Sequence, residues 1–227
     1  MMPFARAARQ GGVRGRSSIV RQPGHDARLE MMDAWFTPMA RLLAAHRLQP
    51  VLPDLQAAVA AVLRTGAEGT EVLLIERALR VGDRWSGQVS LPGGRANATD
   101  TDLVATAVRE TSEEVGLDLG THGRLLGALP VRPAMAAGRR LELTITPFVY
   151  ALVREPILTP AAAEVASVFW FPLEAARDGR WDGRHLVVHD GRENALPCWR
   201  YEGRGIWGLT HAMLSELVAL REKGQER

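Results

Sequence analysis

The chain has 227 residues, of which 46% are hydrophobic and 24% charged. That is an ordinary globular composition, and it excludes wholesale disorder, a collagen-like repeat and a disulfide-stapled miniprotein. Its 28 Lys and Arg against 26 Asp and Glu give a net charge of +2, and no stretch approaches the 18 consecutive apolar residues of a membrane-spanning helix, so no membrane association is expected.

Residues 1–30 carry six arginines and two acids, leaving 22 basic and 24 acidic residues from Met31 onward. The positive excess is confined to this segment, so the rest of the chain gives no electrostatic footprint for nucleic acid. Residues 1–30 lack sustained apolar periodicity and read as a tail. It is either a disordered arm or upstream sequence added by a misassigned start before Met31-Met32, with an Arg-rich transit peptide as the alternative. Within 31–54, Met32, Trp35, Met39, Leu42 and Leu43 recur at helical spacing, which predicts a short amphipathic helix and then a linker marked by Pro50 and Pro53.

A compact domain is expected over 55–222. Apolar runs at 57–63 and 72–75 have strand length, and Thr65-Gly66-Ala67-Glu68-Gly69 between them reads as a hairpin connection. Gly93-Gly94 follows Leu91-Pro92 at a strand end, where glycine lets backbone approach backbone or ligand closely. A loop containing Asn97, Thr99, Asp100 and Asp102 leads into a helix with Asp100 or Thr101 as its N-cap and Gly116 as its left-handed stop. Residues 140–150 alternate Leu141, Leu143 and Ile145 with polar partners, a half-buried strand. Residues 165–171 form another strand, and 207–220 a closing helix with Leu209, Met213, Leu214, Leu217 and Leu220 on one side. Short strands with a few helices and no regular βαβ rhythm argue for a mixed α/β domain.

The chemistry lies on the middle helix. Glu110, Glu113 and Glu114 stand at i, i+3 and i+4, within an arc of roughly 100°, while Val104, Val108 and Val115 are expected to face the core. Clustered carboxylates repel, and such a set of hard oxygen ligands suits Mg²⁺ or Mn²⁺. Arg109 is placed to orient one of them. By themselves three glutamates read more readily as a solvated acidic face. The surrounding residues change that reading.

Gly-Gly, a loop, a helix and Arg109-Glu110-Thr111-Ser112-Glu113-Glu114-Val115-Gly116-Leu117 together resemble the Nudix box, the signature of the Nudix hydrolases, across residues 94–117. The resemblance implies an α/β/α sandwich with a mixed β-sheet, in which loop and helix hold a divalent metal against a diphosphate. It casts Glu110, Glu113 and Glu114 as metal ligands and, with Arg109, as catalytic residues. The usual pattern has a Glu six residues after the second glycine and seven residues before the Arg-Glu pair. Here the place holds Asp100, and eight residues separate it from Arg109. That longer form with an aspartate resembles the coenzyme A pyrophosphatase branch. Leu73-Leu74-Ile75-Glu76-Arg77-Ala78 followed by Gly87-Gln88-Val89-Ser90-Leu91-Pro92-Gly93-Gly94 is similar to that branch's second signature, with the gap from Arg77 to Gly87 one residue longer than usual. Ile206-Trp207-Gly208-Leu209-Thr210 also resembles it.

The resemblance therefore implies metal-dependent cleavage of a diphosphate in coenzyme A or an acyl-CoA, a small-molecule nucleotide substrate. ADP-ribose, a nucleoside diphosphate sugar or an oxidised nucleotide is the alternative substrate, and a non-catalytic nucleotide-sensing module the alternative of another class. Arg77 and Arg84, with Gly93 and Gly94, are expected to bind substrate, and Arg80 is a weaker phosphate contact. Glu164 is a second candidate base. His185, His189 and His211 form no metal motif and are expected to be structural. Cys198, the one cysteine, can form no internal disulfide, which suits a reducing compartment and a cytoplasmic location. A homodimer is one assembly open to the chain.

Overall fold

The computed structural model describes Phe36, residues 39–41, Leu43, and residues 51–66, 69–136, 139–189 and 191–225. The tail expected over 1–30 and most of the helix and linker expected over 31–54 lie outside them. Of that helix, Phe36, Met39 and Leu43 are buried against the core.

The expected hairpin forms from β1 (Gln56–Gly66) and β2 (Gly69–Arg77), with Gly66 opposite Gly69. Their uninterrupted Val, Leu, Ile and Ala runs reflect burial on both faces. The two strands diverge away from the turn, and β3 (Val89–Ser90) and β4 (Gly93–Arg95) fill the gap, β3 on β2 and β4 on β1. β7 (Arg139–Leu152) runs parallel to β1 on its other edge. β5 (Gly123–Ala128) and β6 (Arg132–Ala136) pair antiparallel with the two halves of β7, and β8 (Val165–Pro172) pairs with β2. Among the described residues this makes an eight-stranded mixed sheet.

Both faces are covered. On one lie α1 (Leu103–Val115) and the short α2 (Leu119–His122), closing a core that includes Ala58, Val62, Leu73, Ile75, Phe148 and Tyr150. On the other lie α3 (Leu173–Arg177), a three-stranded antiparallel sheet of β9 (Asp182–His189), β10 (Arg192–Tyr201) and β11 (Arg204–Trp207), and the closing helix α4 (Gly208–Gln225). Met213, Leu214 and Leu217 of α4 are buried there as expected. The fold is the α/β/α sandwich with a mixed sheet, enlarged by a second small sheet in one outer layer.

The N-cap of helix α1 lies one residue after Thr101 and two after Asp100, the two expected caps. Asp102, in extended backbone, is the N-cap, and its side chain accepts a hydrogen bond from the Ala105 N–H. Asp100 is committed elsewhere, to Arg109 and Thr106. The helix stops at Gly116, whose φ of 70° is left-handed and whose N–H reaches the Ser112 carbonyl. The buried stripe is also displaced. It comprises Leu103, Thr106, Ala107, Thr111, Glu114 and Val115, whereas Val104 and Val108 are only half-buried. Replacing Asp102 with alanine should lower stability by about 1 kcal/mol, read as a shift of the urea midpoint. An unchanged midpoint would mean that packing alone holds the helix start.

Candidate active site

The site begins with two glycines that no other residue can replace without movement. Gly93 has φ of 147°, and a Cβ there would stand 2.3 Å from the Ala58 carbonyl oxygen and 2.5 Å from Val59 Cα, both in β1. A Cβ on Gly94 would meet Glu110 Oε2 at 2.4 Å. The bare backbone of β4 thus lets α1 bring its carboxylates against the strand.

The three glutamates do not share one environment. Glu114 is 2% exposed. Its Oε2 accepts a hydrogen bond of 2.8 Å from the Gly93 N–H, and its Oε1 lies 3.8 Å from Arg77 Nη1. Burial pushes its pKa up to about 7 against these two favourable contacts, with Glu110 and Glu164 adding repulsion. Burial also raises Glu110, opposed by a 2.8 Å hydrogen bond from Arg109 Nη1 and reinforced by Glu113 and Glu164. Glu113 is exposed and accepts from Arg109 Nη1 at 3.1 Å. The structure therefore brings Glu110 and Glu114 to β4 and leaves Glu113 on the outer side of Arg109.

Arg109 is the hub of the outer side. Its Nε and Nη2 each donate at 2.9 Å to Asp100, one to each carboxylate oxygen, and Nη2 also donates to the Arg95 carbonyl at 3.0 Å. The Asn97 N–H and the Thr106 hydroxyl complete the Asp100 carboxylate, each at 2.8 Å. The Arg109 hydrogen bonds, with those of Asn97 and Thr106, outweigh burial and hold the Asp100 carboxyl down at about 2. The loop from Arg95 to Asp102 is thereby fastened to α1. Sequence reasoning missed Thr106, for which the signal was its position one turn after the acidic loop.

The upstream arginines separate. Arg77 donates through Nε and Nη2 to Asp83, at 3.2 and 2.7 Å, and turns Nη1 toward Glu114. It borders the carboxylates themselves. Asp83, six residues on, orients it and was not singled out from sequence. Arg80 approaches Glu164 at 3.4 Å, both largely exposed. Arg84 is exposed and forms no ion pair among the described residues. Glu164 is carried to this side because its carbonyl accepts from the Ala78 N–H and the preceding loop docks on α1, Thr159 N–H to the Val115 carbonyl and Ala161 N–H to the Glu114 carbonyl. His185 stacks on Trp207, and His211 packs at a tilt against Trp199. The His189 side chain lies outside the described residues. Cys198 is buried, and burial raises its thiol, so nothing activates it.

Hard carboxylate oxygens and a surplus of half-compensated negative charge are what a divalent cation fits. Glu110 and Glu114 meet that requirement. Glu113 meets it only by leaving Arg109, and among the described residues no three acid, histidine or cysteine side chains already converge as a ligand set.

Fold and site together define an α/β domain of the kind that carries its acids on a helix after a glycine pair. The NUDIX domain model matches residues 54–190. The chain belongs to the Nudix hydrolase family. An uncharacterised Nudix hydrolase, NudL, of Pectobacterium atrosepticum is 31% identical over 172 residues, 75% of this chain and 85% of that one. An uncharacterised protein of Schizosaccharomyces pombe is 44% identical over 104 residues, and the match spans about a third of that protein's length, 32%, and 45% of this chain. A Nudix hydrolase from M. smegmatis, RenU, superposes with a TM-score of 0.47 at 18% identity over 76% of this chain and 89% of its own. No helix among the described residues is long and apolar enough to cross a membrane.

The raised pKa of Glu114 has a signed consequence for the metal-free protein. A carboxyl whose folded pKa lies above its unfolded value of 4.5 stabilises the fold most below pH 4.5 and loses that contribution as pH rises through about 7. Glu114→Gln should therefore be more stable than the wild type at pH 8 in EDTA, by on the order of 2–3 kcal/mol, with the gap closing toward pH 4. A gap independent of pH would place the origin elsewhere than in the ionisation of Glu114.

Proposed function

We propose that this Nudix hydrolase is a divalent-metal-dependent diphosphatase of coenzyme A or an acyl-CoA, releasing adenosine 3′,5′-bisphosphate and the 4′-phosphopantetheine portion. The observation that carries the hydrolytic reading is the pair of carboxylates, buried Glu114 and half-buried Glu110, held against the backbone of Gly93 and Gly94. A protein that only sensed a nucleotide would gain nothing from a buried acid set against the charge of a second one. Support for the substrate is the sequence around the pair: Asp100 in the lengthened loop and the Leu73 to Gly94 segment. Asp100 is tied to Arg109 by two hydrogen bonds, so the aspartate fulfils a bracing role with its shorter reach. A small-molecule substrate acting in a reducing, cytoplasmic setting completes the proposal.

Glu110 and Glu114 would hold Mg²⁺ or Mn²⁺, joined by Glu113 once it leaves Arg109. The ion supplies charge neutralisation at the diphosphate oxygens and a more acidic water. The chain's own residues do the rest. Arg77, held by Asp83, offers Nη1 to a phosphate oxygen beside Glu114. Arg109 keeps Glu110 turned toward β4. A carboxylate takes the proton from the attacking water as a phosphorus–oxygen bond of the anhydride breaks. That carboxylate is one of α1 or, from the facing loop, Glu164, whose exposed side chain lies close enough to raise both Glu110 and Glu114.

EDTA should abolish hydrolysis, and Mg²⁺ or Mn²⁺ should restore it and raise the melting temperature of the protein. Glu110→Gln should lower kcat by two or more orders of magnitude while KM changes little, since the lost charge acts chiefly on the transition state. In a panel of coenzyme A, ADP-ribose and nucleoside diphosphate sugars with phosphate-product detection, coenzyme A should give the highest kcat/KM. Turnover that survives thorough chelation overturns the mechanism, and a preference for ADP-ribose overturns the substrate.

A further inference from the structure

On the face of the large sheet opposite α1, strand pairing lays four residues in one row. Arg95 of β4 stands beside Ala57 of β1, Ala57 beside Ile145 of β7, and Ile145 beside Arg132 of β6, and paired residues point to the same face. Trp85 covers the middle of this row. It packs on a small cluster of Ala57, Ala134 and Leu143 with Leu141 and Ile145, and its Nε1–H donates to the Met135 carbonyl at 3.1 Å. The loop between β2 and β3 is thus pinned across the sheet by its own tryptophan.

Arg84 and Arg139 adjoin this anchor in the chain and sheet, and Arg95 ends the row that runs beneath it. Arg84 precedes Trp85 in the chain. Arg139 lies two residues before Leu141, on the face of β7 that Leu141 shares with Trp85. Arg84 and Arg139 are exposed and form no ion pair among the described residues. Arg95 has one partner, Asp54, at 3.9 Å, and both side chains are largely exposed. Of the acids nearest in the chain or sheet, Asp83 is committed to Arg77 and Glu216 to Arg132, and Glu142, exposed on β7, falls on the opposite face of the strand from Arg139. Uncompensated guanidinium groups around an aromatic side chain suit a phosphate monoester, a dianion that accepts paired N–H donors. The patch also joins the carboxylates. Arg95 is two residues along β4 from Gly93, about 7 Å, and Gly93 is the residue that donates to Glu114.

We propose that Arg84, Arg95 and Arg139, gathered by Trp85, form a subsite for a phosphate monoester on the nucleoside end of the substrate. This rests on the proposed action on coenzyme A, whose adenosine carries a 3′-phosphate. Arg77, the arginine that sequence alone makes the first choice for a substrate phosphate, belongs to the carboxylate end, beside Glu114.

The test is binding by the full chain of adenosine 3′,5′-bisphosphate and of adenosine 5′-monophosphate, measured calorimetrically for the wild type, Arg139→Ala and Arg84→Ala/Arg139→Ala. The wild type should prefer the bisphosphate by about tenfold or more, and the double variant should fall to near parity with its melting temperature unchanged. Arg139→Lys, which retains the charge, should keep part of the preference. A wild type without preference, a preference that survives the double variant, or equal losses for both nucleotides overturns the subsite. The readout is independent of turnover. An intact preference with no hydrolysis of coenzyme A removes the proposed substrate and leaves the subsite, whereas hydrolysis without the preference does the reverse.

Discussion

A carboxylate that is 2% exposed, Glu114, governs the structure around it. It occupies the buried stripe of α1 that also holds Leu103, Thr106, Ala107, Thr111 and Val115, where an uncharged side chain would be the stable choice. Burying an ionised carboxylate is costly unless donors replace the lost water, and here the one donor is a backbone N–H, with the charge of an arginine 3.8 Å away. The N–H comes within reach only because β4 has no side chain at Gly93 or Gly94. The two glycines, the short strand that presents them and the close seat of α1 on that strand therefore form one requirement.

The acids of this region divide by whether the fold satisfies them. Asp100 has two bonds from one guanidinium, a hydroxyl and an amide, and its pKa is held down at about 2. Asp102 caps the helix. These two acids build the loop. Glu110 and Glu114 are raised first by burial and then by neighbouring acids, Glu113 and Glu164 for the one and Glu110 and Glu164 for the other, so the fold gives up stability to keep them there. Unsatisfied charge of this kind has a use only when something else compensates it. Arg109 separates the two sets, bonding Asp100 with one edge and Glu110 with the other, so that bracing of the loop and aiming of the glutamate depend on one side chain.

Much of this was legible from sequence, and the failures have physical causes. The β1–β2 hairpin, β7, β8, α1 and α4 have strong periodicity or long apolar runs, and all five form. The sheet of β9, β10 and β11 was overlooked because β9 and the first half of β10 bury little, and their sequences do not alternate apolar with polar residues. The dipeptides Asp190-Gly191 and Glu202-Gly203 were the available cue, and Glu202 and Gly203 do take positive φ at the β10–β11 turn. Helical angles put Glu110, Glu113 and Glu114 on one arc correctly. They cannot tell which end of the arc meets a strand, and so could not separate buried Glu114 from exposed Glu113. The N-cap was misplaced for a similar reason. Asp100, Thr101 and Asp102 are all competent caps, and a partner nine residues along, Arg109, decides which of them is free to be one.

The two faces of the sheet meet at β4. On the α1 side are stressed carboxylates, suited to cation and diphosphate. On the other are a tryptophan and arginines with spare charge. Between them stands a three-residue strand whose first two positions are glycine. A side chain at either position would collide, with β1 at Gly93 and with Glu110 at Gly94. The constraint that fixes the carboxylates also leaves β4 thin where the two regions adjoin. The loop from β2 to β3 spans the same boundary, with Arg77 at its root on Glu114 and Trp85 near its end over Ala57. A single ligand long enough to carry a diphosphate and a nucleoside would touch both ends of that loop. The geometry of one loop, anchored at Asp83 and at the Met135 carbonyl, would then set the distance between the proposed point of cleavage and the proposed subsite.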